Sequence, residues 1–282
     1  MPELPEVHTI TTDLNKHLVG WDIAHVRLID NYRVNLPADT FIESLEKKQI
    51  QNVERIGKNI VIRLPDELSL TIHLAMTGQT LIRSATFQRD KYERVIFTLI
   101  NPQTHKQLEL RFCDKRMFGK VQIIDKQGYN ELKAKHGPEP INENLTPEKF
   151  LERLRLNKTV IKKQLLNQEA VAGLGNAYAT DALWMAKIHP ETLTTSLNVN
   201  MATVLLKACK EILLEGINNR GISMSDYVDA FGKKGSQQEH FRIYRQEKCR
   251  RCDMPVTIKE IAGRNTYYCE KCQEKDNQAR LL

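Results

Sequence analysis

Cys249-Arg250-Arg251-Cys252 and Cys269-Glu270-Lys271-Cys272 bracket the segment that decides how this chain is built. Its spacing, C-x2-C-x16-C-x2-C, is that of a four-thiolate zinc site, two short knuckles whose sulfurs converge on one tetrahedral ion. Paired disulfides are the competing reading. They fit poorly, because Met1-Pro2-Glu3-Leu4-Pro5-Glu6 offers neither the basic nor the apolar region of an export signal. One structural Zn2+ and a cytoplasmic location are therefore expected. Cys113 and Cys209 stand alone in apolar surroundings and read as small core hydrophobes.

Outward from this element the chain divides by periodicity. Short apolar runs at 53–64, 70–74, 95–100, 108–112 and 120–124 predict strands. A helix over 5–18 precedes them, with Val7, Ile10, Leu14 and Leu18 on one face and Gly20 beyond its end. Residues 133–144, with one Gly and two Pro, read as a linker. Thr146-Pro147-Glu148 opens a helix to 156. Further helices are predicted at 159–168, 176–186, 200–219 and 224–231, and a polar loop at 232–238. The expected plan is α+β: a β-rich domain over 1–132, a linker over 133–144, a helical domain over 145–238 and a zinc element over 239–282.

Composition agrees with that plan. At roughly 150 residues per domain, 282 residues suggest two domains, enough to bury a core without disulfides. Apolar residues make up 41% and charged residues 27%, which excludes a disordered chain, and no run nears the roughly 18 apolar residues of a membrane span. Lys plus Arg number 42 against 35 acids, net +7, a balance that attracts polyanions.

Four segments carry candidate chemistry. With Met1 removed, Pro2 is a free secondary amine beside Glu3 and Glu6. A terminal amine with a pKa of about 8 is far more often neutral at pH 7.5 than a lysine, which suits a Schiff-base nucleophile with Glu3 for proton transfer. The same residues equally suit a plain helix start. Val171-Ala172-Gly173-Leu174-Gly175-Asn176 is a glycine turn into a helix, fit for a phosphate or for an ordinary connection. Asp114-Lys115-Arg116-Met117-Phe118-Gly119 mixes cations with apolar groups, as a base-stack wedge does and as many hairpin tips do. His73 and Met76 read locally as a wedge pair or as core residues.

Together these segments resemble one family. Pro2-Glu3-Leu4-Pro5-Glu6-Val7, Gly57-Lys58, His73-Leu74-Ala75-Met76-Thr77-Gly78, Arg116-Met117-Phe118-Gly119, Gly173-Leu174-Gly175-Asn176-Ala177-Tyr178-Ala179 and the four cysteines follow the order found in bacterial formamidopyrimidine-DNA glycosylases. Leu4 favours this branch over endonuclease VIII, which has Gly there. The resemblance implies an N-terminal β-sandwich, a helix-two-turn-helix domain and a zinc finger, with DNA in the cleft between domains. It implies a base-excision repair enzyme, a DNA glycosylase and AP lyase removing oxidised purines. Pro2 would attack C1′, Glu3 would move protons, and Glu6 and Lys58 would complete the catalytic set, with β and δ eliminations following. Lys58, His73, Asn176 and Arg264 match phosphate-contacting positions. Met76, Arg116 and Phe118 match the residues that fill the vacated base position and address the orphaned base, and Lys162 matches a further basic position near the DNA-facing site. The expected partner is double-stranded DNA carrying damaged bases or abasic sites, bound by a monomer with no membrane involvement.

One departure stands out. Where the family commonly reads Gly-Lys-Pro-Gly-Tyr-Phe, in a loop covering a flipped 8-oxoguanine, this chain has Gly232-Lys233-Lys234-Gly235-Ser236-Gln237. Missing aromatic faces predict weaker 8-oxoguanine excision relative to abasic-site cleavage. A non-catalytic binder of damaged DNA is the alternative function. A zinc-ribbon regulator has little support, because no helix clusters Arg and Asn for base reading.

Overall fold

The first helix, α1 (Leu4–Leu18), starts where Pro5 fixes the opening turn and Glu3 and Glu6 cap each other's backbone amides. Val7, Ile10, Leu14 and Leu18 recur on its buried face. In the computed structural model, which describes residues 1–275, the chain continues through β1 (Asp22–Leu28), α2 (Ala38–Glu43), β2 (Asn52–Ile56), β3 (Asn59–Arg63) and β4 (Ser69–His73). Then come β5 (Gly78–Ser84), β6 (Glu93–Ile100), β7 (Gln107–Asp114), β8 (Lys120–Ile124) and α3 (Lys126–Ala134).

The strands make two antiparallel sheets, ordered β1-β6-β7-β5 and β2-β3-β4-β8. Ile60, Ile62 and Ile72 of one sheet share a core with Val95, Phe97 and Phe112 of the other, giving the expected sandwich. The expected strand over 53–64 is a hairpin, β2 and β3, turning at Gly57-Lys58. Four elements escape the periodicity reading. β1 carries a register shift between Ile23 and His25, and β5 opens on Gly78. α2 is a single short stretch burying only Phe41, and α3 buries nothing.

This first unit comprises Met1–Ala134 together with Asn219–Ser236, so a stretch expected in the helical domain packs with the sandwich. It runs along the free edge of β5: Ile82 N–H donates to Ala230 O at 2.8 Å, Arg83 Nη1 to Phe231 O at 3.2 Å, and Gln79 Nε2 to Asp226 O. The helix expected at 224–231 does not form. Asp229 Oδ1 takes the Phe231 and Lys233 amides at 2.9 and 2.8 Å, offering the backbone a turn in place of a helix.

The second unit holds Lys135–Asn218 and, among the described residues, 237–275. Its helices are α4 (Pro147–Leu154), α5 (Ile161–Leu166), α6 (Asn176–Met185) and α7 (Val199–Asn218). Thr146 Oγ1 caps α4 by accepting the Lys149 amide, as its sequence predicts. The hairpin β9 (Thr257–Ile261) and β10 (Arg264–Tyr268) lies between the two cysteine pairs. Among the described residues, no helix is long and apolar enough to cross a membrane.

Candidate nucleic-acid interface and metal centre

The N-terminus is held by a two-pronged carboxylate. Glu6 Oε2 accepts the Glu3 amide at 2.6 Å, and Glu6 Oε1 accepts the Ile222 amide at 2.8 Å. Gly221 lies so close that an added Cβ would sit 2.7 Å from Glu6 Oε1, and its φ of +85° suits glycine alone. Tyr227 closes the site, its hydroxyl donating to Arg220 O at 3.0 Å, and burial beside the Glu6 carboxylate pushes its phenol pKa up. Glu6 and Glu3 are buried, as is Pro2 beneath an exposed Met1. α1 packs on β2 and β3, whose turn carries Lys58, and the β3–β4 register sets His73 opposite Asn59.

Met76, Arg116 and Phe118 do come together. Arg116 Nη1 is 3.2 Å from Met76 Sδ, and its guanidinium carbon lies 4.9 Å from the Phe118 ring centroid. Both apolar members face solvent, Met76 at 44% and Phe118 at 56% exposure, which is costly unless the patch meets a partner. The loop owes its shape to Asp114, a residue with no role in the sequence reading. Its buried carboxylate accepts Thr77 Oγ1–H at 2.5 Å and the Arg116 amide at 3.2 Å on one oxygen, and the Gly119 amide at 2.7 Å on the other. Gly119 permits this approach, since a Cβ would meet Phe112 Cζ at 2.6 Å. Tyr32 donates to Gly119 O at 2.7 Å, and burial, reinforced by the Asp114 charge, pushes its pKa up to about 12.

In the second unit the glycine turn is braced by Gln168, whose Oε1 accepts the Gly173 amide and whose Nε2 donates to Leu174 O, both at 2.9 Å. Asn176 begins α6, and its Nδ2 donates to Asn265 O at 2.9 Å, which ties it to the start of β10 beside exposed Arg264. Lys162 differs from a surface contact. It is fully buried, with Nζ donating to Asn176 O at 2.9 Å and Thr180 Oγ1 at 2.5 Å, so it braces the N-terminal turn of α6 from beneath.

The four zinc-spaced cysteines converge. All their sulfurs lie within 4.8 Å of one another, with Cys249 and Cys272 at 3.8 Å and Cys252 and Cys269 at 3.4 Å. A tetrahedral ion with Zn–S bonds of about 2.3 Å needs edges of about 3.8 Å, whereas a disulfide needs about 2.05 Å. The donor set fits one structural Zn2+, which supplies a cross-link for an element with few apolar residues of its own. Cys113 and Cys209 are buried, and burial pushes both thiols up, consistent with core roles.

At the end of the departing loop Gln237 is fully buried, its Nε2 donating to Glu215 Oε1 at 3.0 Å, and the Ser236 amide donates to Asn219 O at 2.9 Å. Neither side chain carries an aromatic face.

Three family descriptions match in chain order: the formamidopyrimidine-DNA glycosylase N-terminal domain at residues 1–121, the formamidopyrimidine-DNA glycosylase H2TH domain at 136–228, and the zinc finger found in FPG and IleRS at 246–275. The formamidopyrimidine-DNA glycosylase of Herpetosiphon aurantiacus is 38% identical over 281 residues, covering 97% of this chain and all of that one. That of Desulforamulus reducens is 39% identical over 280 residues, covering 97% and 99%. Among solved structures, Lactococcus lactis Fpg in complex with abasic-site DNA matches at 33% identity with a TM-score of 0.87, covering 97% of this chain and 100% of that one. A mutant of the same protein with Fapy-dG DNA matches at 34% and 0.87, with the same coverage. With a sandwich, a helical unit and a four-thiolate hairpin in this order, the chain belongs to the formamidopyrimidine-DNA glycosylase family.

Proposed function

We propose that this protein is a base-excision repair enzyme, a DNA glycosylase and AP lyase that acts on oxidised purines in double-stranded DNA. The observation that carries the reading is the immobilised N-terminus: Glu6 holds the Glu3 amide and the Ile222 amide at once, fixing Pro2 and Glu3 at a defined position. Removal of Met1 uncovers the Pro2 nitrogen. That amine attacks C1′ as the bond to the base breaks and the departing base takes up a proton. Glu3 protonates O4′ as the sugar ring opens to an iminium. Loss of a C2′ proton then expels the 3′ phosphate, a second elimination expels the 5′ phosphate, and water releases the enzyme.

Recognition rests on the other residues. Met76 and Phe118 replace stacking lost when a nucleotide leaves the duplex, and Arg116 addresses the orphaned base. Lys58, His73, Asn176 and Arg264 neutralise phosphates, and Lys162 acts on them through Asn176. Affinity accordingly falls steeply with salt. A monomer in the cytoplasm completes the reading. Abasic-site duplex and sodium borohydride should give a covalent adduct that maps to Pro2. Absence of an adduct from protein with a correctly processed N-terminus overturns the lyase assignment, and retained binding in that case identifies a non-catalytic damage binder.

A further inference from the structure

The metal element is fastened to α6 at several points along that helix. Asp181, buried near the middle, accepts the backbone amides of Arg242, Ile243 and Tyr244 at 2.7, 3.0 and 2.8 Å. At the C-terminal end, Trp184 Nε1 donates to Cys249 Sγ at 3.3 Å. Arg251, between the first two cysteines, lays its guanidinium 3.7 Å from the Trp184 ring centroid. The same guanidinium donates to Trp184 O and, at 3.0 Å, to Met185 O, two carbonyls of the helix's last turn. Trp184, Cys249 and Cys269 share one buried cluster, which keeps water from competing for the sulfur.

We propose that Trp184 and Arg251 are positioning residues of the metal centre, holding the Cys249 sulfur in place among the four ligands. Four thiolates around a divalent cation leave a net charge of about −2 in a small buried volume. An N–H aimed at a ligating sulfur fixes its orientation and lowers its reactivity towards electrophiles. Stacking by Arg251 fixes the plane of the indole and sets a permanent cation beside that charge. Phe in place of Trp184 keeps most of the ring and loses only the donor, so the N–H is separable from the packing. The inference needs nothing from the DNA chemistry proposed above.

The test uses the intact zinc-loaded protein and reads metal transfer to the chromogenic chelator 4-(2-pyridylazo)resorcinol at neutral pH. Partners of metal ligands typically contribute 10–100-fold to metal affinity. Trp184→Phe should release zinc at least tenfold faster and speed alkylation of Cys249 by N-ethylmaleimide. Arg251→Gln should move both in the same direction. A melting temperature lowered in both variants with unchanged release rate and alkylation marks the contact as packing only and overturns the proposal. A second measurement leaves the site intact. In Trp21→Phe protein, Trp184 is the sole tryptophan, and its emission should change when EDTA strips the zinc. Unchanged emission overturns the proposed coupling.

Discussion

Replacing Asp114 with Asn isolates the hub of the Met76–Arg116–Phe118 loop. The carboxylate serves three donors, Thr77 Oγ1–H and the Arg116 amide on one oxygen and the Gly119 amide on the other, at 1% exposure. An amide side chain has one acceptor oxygen. With its NH2 towards Gly119 the variant meets an amide donor head-on; turned the other way it loses the Thr77 and Arg116 donors, which can pair with each other through Thr77 Oγ1, and in either case every remaining bond loses its charge. A hydrogen bond to a charged group contributes about 1.5–3 kcal/mol, and a buried group left unpaired costs about 1–3 kcal/mol. The variant should lose about 2–4 kcal/mol in urea unfolding. If about half of that is the cost of restoring the loop when DNA binds, affinity for a duplex with a stable abasic analogue falls about tenfold, since 1.4 kcal/mol is a factor of ten. Fluorescence anisotropy at fixed salt gives the affinity. Thr77→Val, which removes one donor to the carboxylate and one of the two acceptors of the Arg116 amide but keeps the charge, should show a smaller effect. Asn at 114 with affinity within twofold of wild type would refute the idea that this carboxylate shapes a DNA-contacting loop.

Tyr32→Phe should remove a pH dependence. The folded phenol titrates near 12 against a usual value near 10, so the protonated form is favoured on folding. Its contribution is fully present below pH 10 and is lost as pH rises from 10 through 12, at up to about 1.4 kcal/mol per unit, and the Phe variant should lack that slope in urea titrations. Cys249→Ser or Cys269→Ser should abolish bound zinc by elemental analysis and DNA binding with it, because incomplete ligation releases the hairpin carrying Arg264; stoichiometric zinc in either variant contradicts the site. Gln237→Ala should cost about 1–3 kcal/mol of stability through the lost hydrogen bond to Glu215, which keeps its Arg242 ion pair, and through the cavity, while the ratio of 8-oxoguanine to abasic-site single-turnover rates stays unchanged. A shifted ratio in that variant would show a base-reading role for the position.

What could be read from sequence was what short spacing or strong periodicity encodes. The zinc ligands sit in two C-x2-C knuckles, and α1 shows its buried face at spacings of three and four. The exposed trio emerged as a set only through family resemblance, because Met76 and Arg116 are 40 residues apart and meet through strand pairing. Asp114 was invisible as a hub because two of its donors follow it closely, as in any turn, and the third, from Thr77, lies 37 residues back. Glu6 read as a first-turn acid, and its bond to the Ile222 amide spans 216 residues. The burial of Gln237 is hidden for the same reason: a polar residue in a glycine-bearing stretch suggests a solvent loop, and only packing sets its amide against Glu215.

The return of Asn219–Ser236 to the sandwich imposes an order on biogenesis. Synthesis runs from the N-terminus, so all eight strands of the sandwich leave the ribosome before the segment that seals them. Through that interval β5 presents a bare edge, a template for pairing with another nascent chain, and Glu6 lacks the Ile222 amide. The whole helical stretch Lys135–Asn218 must be made before the edge is covered. The N-terminal unit therefore cannot be obtained by cutting the gene at its apparent boundary. A fragment ending near residue 134 carries every strand of the sandwich and still leaves its N-terminus half clamped.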